Sequence, residues 1–370
     1  MGRPITPYPY CLLLTLFLFF APIISHSQSQ RGVWLTDVDS EVLDSDQNID
    51  LAVGRCHKAG IKKIYVVVWN RGYTLYPSPL MEASFGRKIA PRFEGRDFLK
   101  TLIEAAHKKG IEVHAWFEFG FSSSYQQKDG GHIIRAKPHW AALDSSGQLV
   151  SKNDFQWMNA FLPEVQDFMI QMVLEVMDLY DIDGVQGDDR LPALPSTAGY
   201  DAYTVALYKK AHDGSPPPKA YKNSEWVDWR AALLNKFMQR LSISVRAKNP
   251  SVSLSMAPSI YPWSKAEYLQ DWPTWLVNDW VDYVIPQIYR YNIADYKKAL
   301  LENLTFIAPK NRNRFIPGML LKVGDYSPSE QYLEGMIKAN RAVGIQDEVF
   351  FFYEGLKLHP KFFNHTYLDL

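Results

Sequence analysis

From residue 31 onward, apolar positions fall into two alternating kinds of run. Short blocks, apolar at nearly every position, recur at GVWLT (32–36), IKKIYVVVW (61–69), EVHAWFEF (112–119), DGVQGDD (183–189), VSLSMAP (252–258), VDYVIPQIY (281–289), RFIPGML (314–320) and EVFFFYEGL (348–356). Blocks of this kind predict strands covered on both faces. Between them, apolar residues recur at helical spacing over 48–59, 97–109, 163–180, 225–248 and 327–343. Gly60, Gly110 and Gly344 follow three of these stretches, Pro163 opens a fourth, and Ser-Pro-Ser-Glu opens the last.

Strands alternating with helices imply right-handed βαβ units and a parallel sheet. Eight strands without an internal boundary predict an α/β chain folded as a (β/α)8 TIM barrel, one domain over residues 28–370. An open doubly wound sheet is the competing arrangement. It is weakened because DVDSEVLDSD, and no Gly-rich phosphate loop, follows the first strand. The connections are asymmetric: 70–94, 120–160 and 190–224 are long, whereas a single glycine often joins helix to strand. Barrel enzymes build their sites from the loops after the strands, so a cleft is expected at that end.

Composition narrows the chemistry. The 370 residues are 47% hydrophobic, and Lys+Arg and Asp+Glu are both 40, so no net field draws nucleic acid or an anionic membrane. Eleven Trp and twenty-one Tyr suit the flat apolar faces of sugar rings. Arg3, an apolar run from Cys11 to Ile24, and Ser25-His26-Ser27 have the form of a secretory leader over 1–27. Its removal implies a secreted or periplasmic protein with no stable membrane span; an uncleaved anchor is the alternative. Cys56 then remains as the one cysteine, which excludes an intramolecular disulfide and a Cys-based metal site. The sequence sets no oligomeric state and calls for no cofactor.

Polarity rises at the predicted strand ends. Trp69-Asn70-Arg71 closes the second strand. His114, Trp116 and Glu118 lie on the third, and Gln186, Asp188, Asp189 and Arg190 on the fourth. Gln287 and Tyr289 lie on the sixth, and Tyr353 and Glu354 on the eighth. Each has a structural alternative. His114 can be a hydrogen-bonded core histidine, the tryptophans can pack the barrel mouth, and Arg71 or Arg190 can simply neutralise acids. Glu118 and Glu354 are harder to set aside, because acids ending buried strands need a partner or a purpose. Strand alternation puts Asp188 on the face of Gln186 and turns Asp189 away. Gly184 and Gly187 are expected to leave room for a ligand or a bend.

Several carboxylates, an arginine and many aromatics around one cleft indicate glycoside hydrolysis, which needs a proton donor and a carboxylate acting as nucleophile or base. The catalytic candidates are Asp188, Asp189 and Glu118. Trp69, Asn70, Arg71, His114, Trp116, Gln186, Gln287, Tyr289 and Glu354 are the substrate-binding candidates, with a polysaccharide or oligosaccharide as partner and no metal. A glycan-binding barrel without chemistry is one alternative. A metal-dependent deacetylase is another, drawing on His57, His107, His114, His132 and His139, although none stands in a tight ligand motif.

RGVWLT, VVVWNRGYTLYPS, FLKTLIEAAHKKGIEVHAWFEFGF, LPEVQDFMIQMVLEVMDLYDIDGVQGDDR and DYVIPQIYRYN together resemble the bacterial glycosyl-hydrolase-like family ten proteins. The resemblance runs from about 31 to 356. It implies a secreted or envelope barrel that hydrolyses glycosidic bonds, with envelope glycans such as peptidoglycan strands, and the related poly-N-acetylglucosamine polymers of neighbouring families, as suggested substrates. It also implies a catalytic role for the acid pair at Asp188 and Asp189, with 70–72 and 286–289 lining the cleft. Two stretches depart from the family: Glu118-Phe119-Gly120 stands where many members have Asn-Pro-Tyr, and Met158-Asn159-Ala160 where many have Leu-Asp-Pro. Pairing Asp188 with Glu118 rests on this chain's own residues.

Overall fold

The computed structural model describes residues 1–2 and 31–370; most of the predicted leader lies outside the described residues. Eight parallel strands form the central sheet: β1 Gly32–Leu35, β2 Lys63–Val67, β3 Glu112–Phe117, β4 Gly184–Gly187, β5 Ser253–Met256, β6 Tyr283–Val284, β7 Gly318–Leu320 and β8 Val349–Phe351. Each pairs with its neighbours in chain order, and β8 returns to β1. Between β6 and β7 the ladder reduces to the parallel bridges Val284↔Phe315 and Gln287↔Gly318. These close the ring as a TIM barrel.

The outer helices are α1 Asp46–Lys58, α2 Phe98–His107, α3 Pro163–Leu179, α4 Ser224–Lys248, α5 Trp272–Val277, α6 Ile293–Leu304, α7 Glu330–Ala342 and α8 Tyr353–Leu358. Their starts follow local chemistry. Ser45, Asp97, Asn223, Asn292 and Ser329 each accept a hydrogen bond from a first-turn backbone N–H, relieving a donor the helix itself cannot satisfy. Helix α6 escapes the apolar pattern because its buried face includes Tyr296 and Asn303 among the aliphatics.

Several predicted strands are shorter than their apolar runs. At the sixth, Pro286 has no N–H to give to the ladder. The eighth stops at Phe351, and Tyr353 and Glu354 belong to α8. The long loops carry their own structure. Trp69–Asn70 pairs with Tyr73–Thr74, and Ser122–Tyr125, Phe155–Trp157 and Ser151–Lys152 form a three-stranded antiparallel sheet.

The barrel interior is aromatic. The Trp34 indole on β1 donates to Gln186 Oε1 on β4 at 2.6 Å, and these strands are not neighbours, so both side chains lie inside the ring. Trp34 also packs against Tyr65 and Trp116, with ring centroids 5.9 and 6.3 Å apart. Gly184 is small because of this packing: a Cβ there would sit 2.0 Å from the His114 imidazole. At Gly187 a Cβ would meet the Leu191 carbonyl and the Met256 sulfur at 2.4 Å. Both glycines therefore make room for the protein's own atoms, and the expectation of space for a ligand is corrected.

Candidate active site

Strand β4 ends at Gly187, and the chain turns at once, with Leu191 N–H donating to the Asp188 carbonyl at 3.1 Å. Because the strand has ended, its alternation no longer separates the two acids. The turn brings the Arg190 guanidinium back over both. Arg190 Nη2 donates to Asp188 Oδ2 at 2.8 Å, and Nη1 lies 2.8 Å from Asp189 Oδ1, an ion pair without hydrogen-bond alignment. Arg190 Nε donates to the Glu118 carbonyl oxygen at 2.9 Å, and the Glu118 carboxylate stands 3.9 Å from Nη2. The guanidinium also lies 4.6 Å over the Phe155 ring. Burial opposes its charge, yet Asp189, Asp188 and Glu118 hold it above the ordinary arginine range.

One cation thus serves three carboxylates. Asp188 is 2% exposed and is held through both oxygens, Oδ2 by Arg190 and Oδ1 by Gln287 Nε2 at 2.7 Å. Burial first, then Asp189, raises its carboxyl pKa, while Arg190 pulls it down. Asp189 is the more open of the pair, its side chain 21% exposed.

Glu118 projects from just beyond β3. Its Oε2 accepts from Asn70 Nδ2 at 3.0 Å and from the Thr36 hydroxyl at 3.3 Å, whereas Arg190 is the cation nearest Oε1. Burial dominates here and pushes the carboxyl up to about 7, with Arg190 lowering and Asp37 raising it.

Asp37 went unrecognised in the sequence as a site residue. It follows β1, is buried, and accepts from the same Asn70 nitrogen at 2.7 Å. Only the amide nitrogen can donate, so Asn70 turns it toward both acids; its Oδ1 has no hydrogen-bond partner among the described residues. Burial raises the Asp37 pKa, offset chiefly by the Arg71 charge. The available signal was position: an acid directly after the first barrel strand.

A family model described as Glycosyl hydrolase-like 10 matches residues 29–317. The chain belongs to this family. It is 24% identical over 333 residues to glycosyl hydrolase YngK of Bacillus subtilis, covering 80% of this chain and 62% of the relative, so it spans less than two thirds of that protein. It is 26% identical over 347 residues to glycosyl hydrolase DigH of Escherichia coli, covering 82% of this chain and 76% of the relative. Among solved structures, the PgaB (BpsB) glycoside hydrolase domain from Bordetella bronchiseptica superposes with a TM-score of 0.67 at 15% identity, covering 90% of this chain and 96% of that one. Alpha-L-fucosidase isoenzyme 2 from Paenibacillus thiaminolyticus also gives 0.67, at 16% identity over 92% of this chain and 49% of its own. At these identities the likeness is one of fold.

In this glycosyl hydrolase-like 10 protein, the predicted site residues separate into two groups. Asp188, Asp189, Glu118, Asn70 and Gln287 gather around Arg190. Tyr289 joins them: after burial, the three carboxylates raise its phenol pKa, and its ring stacks on Phe351. Arg71 turns the Trp69–Asn70 hairpin with φ 52° and keeps its side chain exposed. Glu354, predicted to end a strand, sits instead on α8, hydrogen-bonded to Ser40 at 2.7 Å and paired with Lys357.

Four expectations of substrate contact are corrected. Trp69 is 0% exposed, its indole donating to the Gly120 carbonyl at 2.9 Å. Gln186 spends its amide on Trp34 and Ser255 inside the barrel. Trp116 is buried against Trp34. His114 lies deeper still, 3.2 Å from Glu112 at the opposite end of β3, and burial lowers its pKa. Asn159, at one of the family departures, is structural, accepting from Phe161 N–H and reaching Thr204. The histidines offered as metal ligands are dispersed: His107 meets Asp183, His114 meets Glu112, and His139 meets Glu164. No group of three or more His, Cys, Asp or Glu among the described residues is arranged to hold a metal ion. No described helix is long and apolar enough to cross a membrane.

Proposed function

We propose that this protein is a secreted glycoside hydrolase acting on an amino-sugar polysaccharide of the bacterial envelope, of the peptidoglycan or poly-N-acetylglucosamine kind. One observation carries the reading: three carboxylates share a single guanidinium at the end of the barrel where the strands finish. One positive charge cannot hold three neighbouring acids ionised, so the cluster retains a proton near neutral pH. Glycosidic cleavage needs such a mixture of protonated and ionised carboxyls.

Glu118 is the proton donor. Of the three carboxylates it lies farthest from Arg190, with Oε1 3.9 Å from Nη2, and its pKa of about 7 keeps it protonated in slightly acid conditions. Asp188 supplies the nucleophile or base, the Arg190 and Gln287 donors on its two oxygens favouring the carboxylate against the opposing effect of burial, and Asp189 adds negative charge beside the developing oxocarbenium ion. Phe155 and Tyr289 offer ring faces for the sugar. The leader predicted at 1–27 and the family resemblance support export and an envelope glycan. A purely glycan-binding barrel would need the rings and not the clustered acids.

Purified protein incubated with peptidoglycan glycan strands and with chitin oligosaccharides, followed by product mass spectrometry, tests the reading. Hydrolysis by the wild type is expected, with strong loss in Asp188→Asn. Full activity in both Asp188→Asn and Asp189→Asn would overturn the assignment. Binding without product on any glycan would favour the non-catalytic barrel.

A further inference from the structure

Outside the carboxylate cluster, a cavity of about 700 Å³ opens between the loop after β6 and the loop after β7. Three tyrosines line it: Tyr291, Tyr326 and Tyr332. Tyr291 is 64% exposed, and its ring meets Tyr326 edge-on with centroids 4.7 Å apart. The floor is held in place: the Tyr332 hydroxyl on α7 lies 2.9 Å from the Arg290 carbonyl oxygen and 3.1 Å from that of Asn292. Gln331, Glu334 and Lys338 add hydrogen-bonding groups along one wall.

Position gives the cavity its meaning. Both loops follow strands, so the groove opens on the face that carries Asp188 and Glu118. Tyr291 stands two residues beyond Tyr289, which senses all three carboxylates, a span of at most about 7 Å of chain. A second cavity of similar volume, lined by Gly60, Asn313 and Gly344, lies at the opposite end among the helix-to-strand turns. The aromatic groove therefore lies on the same face of the barrel as the candidate site.

We propose that the Tyr291–Tyr326–Tyr332 groove is a distal sugar subsite, stacking a pyranose ring of the same amino-sugar chain whose bond is cut at the carboxylates. This rests on the hydrolase reading and extends it: the protein grips its polymer beyond the cleavage point and prefers long chains to short ones. The amphipathic rings present a C–H-complementary face, and the Gln331, Glu334 and Lys338 side chains meet ring hydroxyls or N-acetyl groups.

Titration calorimetry with chitohexaose and chitobiose tests this independently of cleavage, using the Asp188→Asn protein so that the ligand survives. Tyr291→Ala is expected to weaken chitohexaose binding about 3- to 10-fold and to leave chitobiose binding unchanged, while Tyr291→Trp restores the long-chain preference. Equal effects on both lengths, no effect on either, or no binding of chitohexaose would each overturn the subsite. In the active protein, the same Tyr291→Ala change should raise KM on long chains with kcat unaltered. Intact, ring-dependent binding without hydrolysis by the wild type would leave the subsite standing and sink the hydrolase reading, so the two failures are distinguishable.

Discussion

Glu112 and Glu118 lie six residues apart, at and just beyond the two ends of β3, and their electrostatics are opposite. Glu112, at the start of the strand, meets Lys63 at 2.6 Å and His114 at 3.2 Å. Burial would raise its pKa, but His114 and Lys63 hold it down at about 2. Glu118, past the other end, is pushed up to about 7 chiefly by burial, which the Arg190 it shares with Asp188 and Asp189 offsets only in part. A carboxylate with its own cation is locked in one charge state and serves the fold. A carboxylate sharing a cation with others can take up and release a proton at neutral pH, which a proton donor must do. The start of β3 thus carries a carboxylate locked by its partners, and its end one that can titrate near neutral pH.

The comparison can be broken at several points. The largest effect is expected from Asp188→Asn, with kcat falling about 10²- to 10⁴-fold and circular dichroism unchanged; near-normal turnover would remove Asp188 from the chemistry. Glu118→Gln should cost about 10²-fold and abolish the fall in rate expected of the wild type as pH rises through about 7. A pH–rate profile retaining that limb in the variant would assign it to another group.

Stability gives the next contrast. Glu112→Gln leaves Lys63 buried without its partner and should lower unfolding stability by roughly 2–3 kcal/mol near neutral pH, with turnover per folded molecule preserved. The folded pKa of Glu112 lies below its ordinary value of 4.5, so its contribution is present above 4.5 and fades as pH falls toward 2. Glu118 has the reverse sign. Its raised pKa makes the wild type lose stability as pH rises from 4.5 to about 7, and Glu118→Gln should be the more stable protein at pH above 7 by about 1–3 kcal/mol. Denaturant melts of both variants at acid and neutral pH would expose any departure from these opposed slopes. Smallest is Gln287→Ala, which removes one donor from Asp188 Oδ1 and should slow turnover about 10-fold; an unchanged rate would mean that Arg190 alone orients the acid.

Much of this was legible in the chain. Eight both-face-apolar runs separated by capped helical stretches specify a barrel, because parallel strands must be covered on both sides and each crossover must be right-handed. The Asp188–Asp189 pair and Glu118 were visible as charges ending apolar runs. Position along the run also placed them at the face where barrels react. What the sequence could not give was depth and partnership. His114 and Glu118 lie four residues apart on one face of the strand pattern, but the first fills the barrel interior and the second faces the cluster. Gln186 and Gln287 look equivalent, yet one is spent on Trp34 and the other holds Asp188. Asp37 joins the site through an amide 33 residues away, and Arg190 reaches a carbonyl 72 residues away. Strand periodicity says which way a side chain points. Only closure of the ring decides what it meets there, because curvature and stagger bring together residues from strands distant in sequence, and these contacts set each carboxylate's charge.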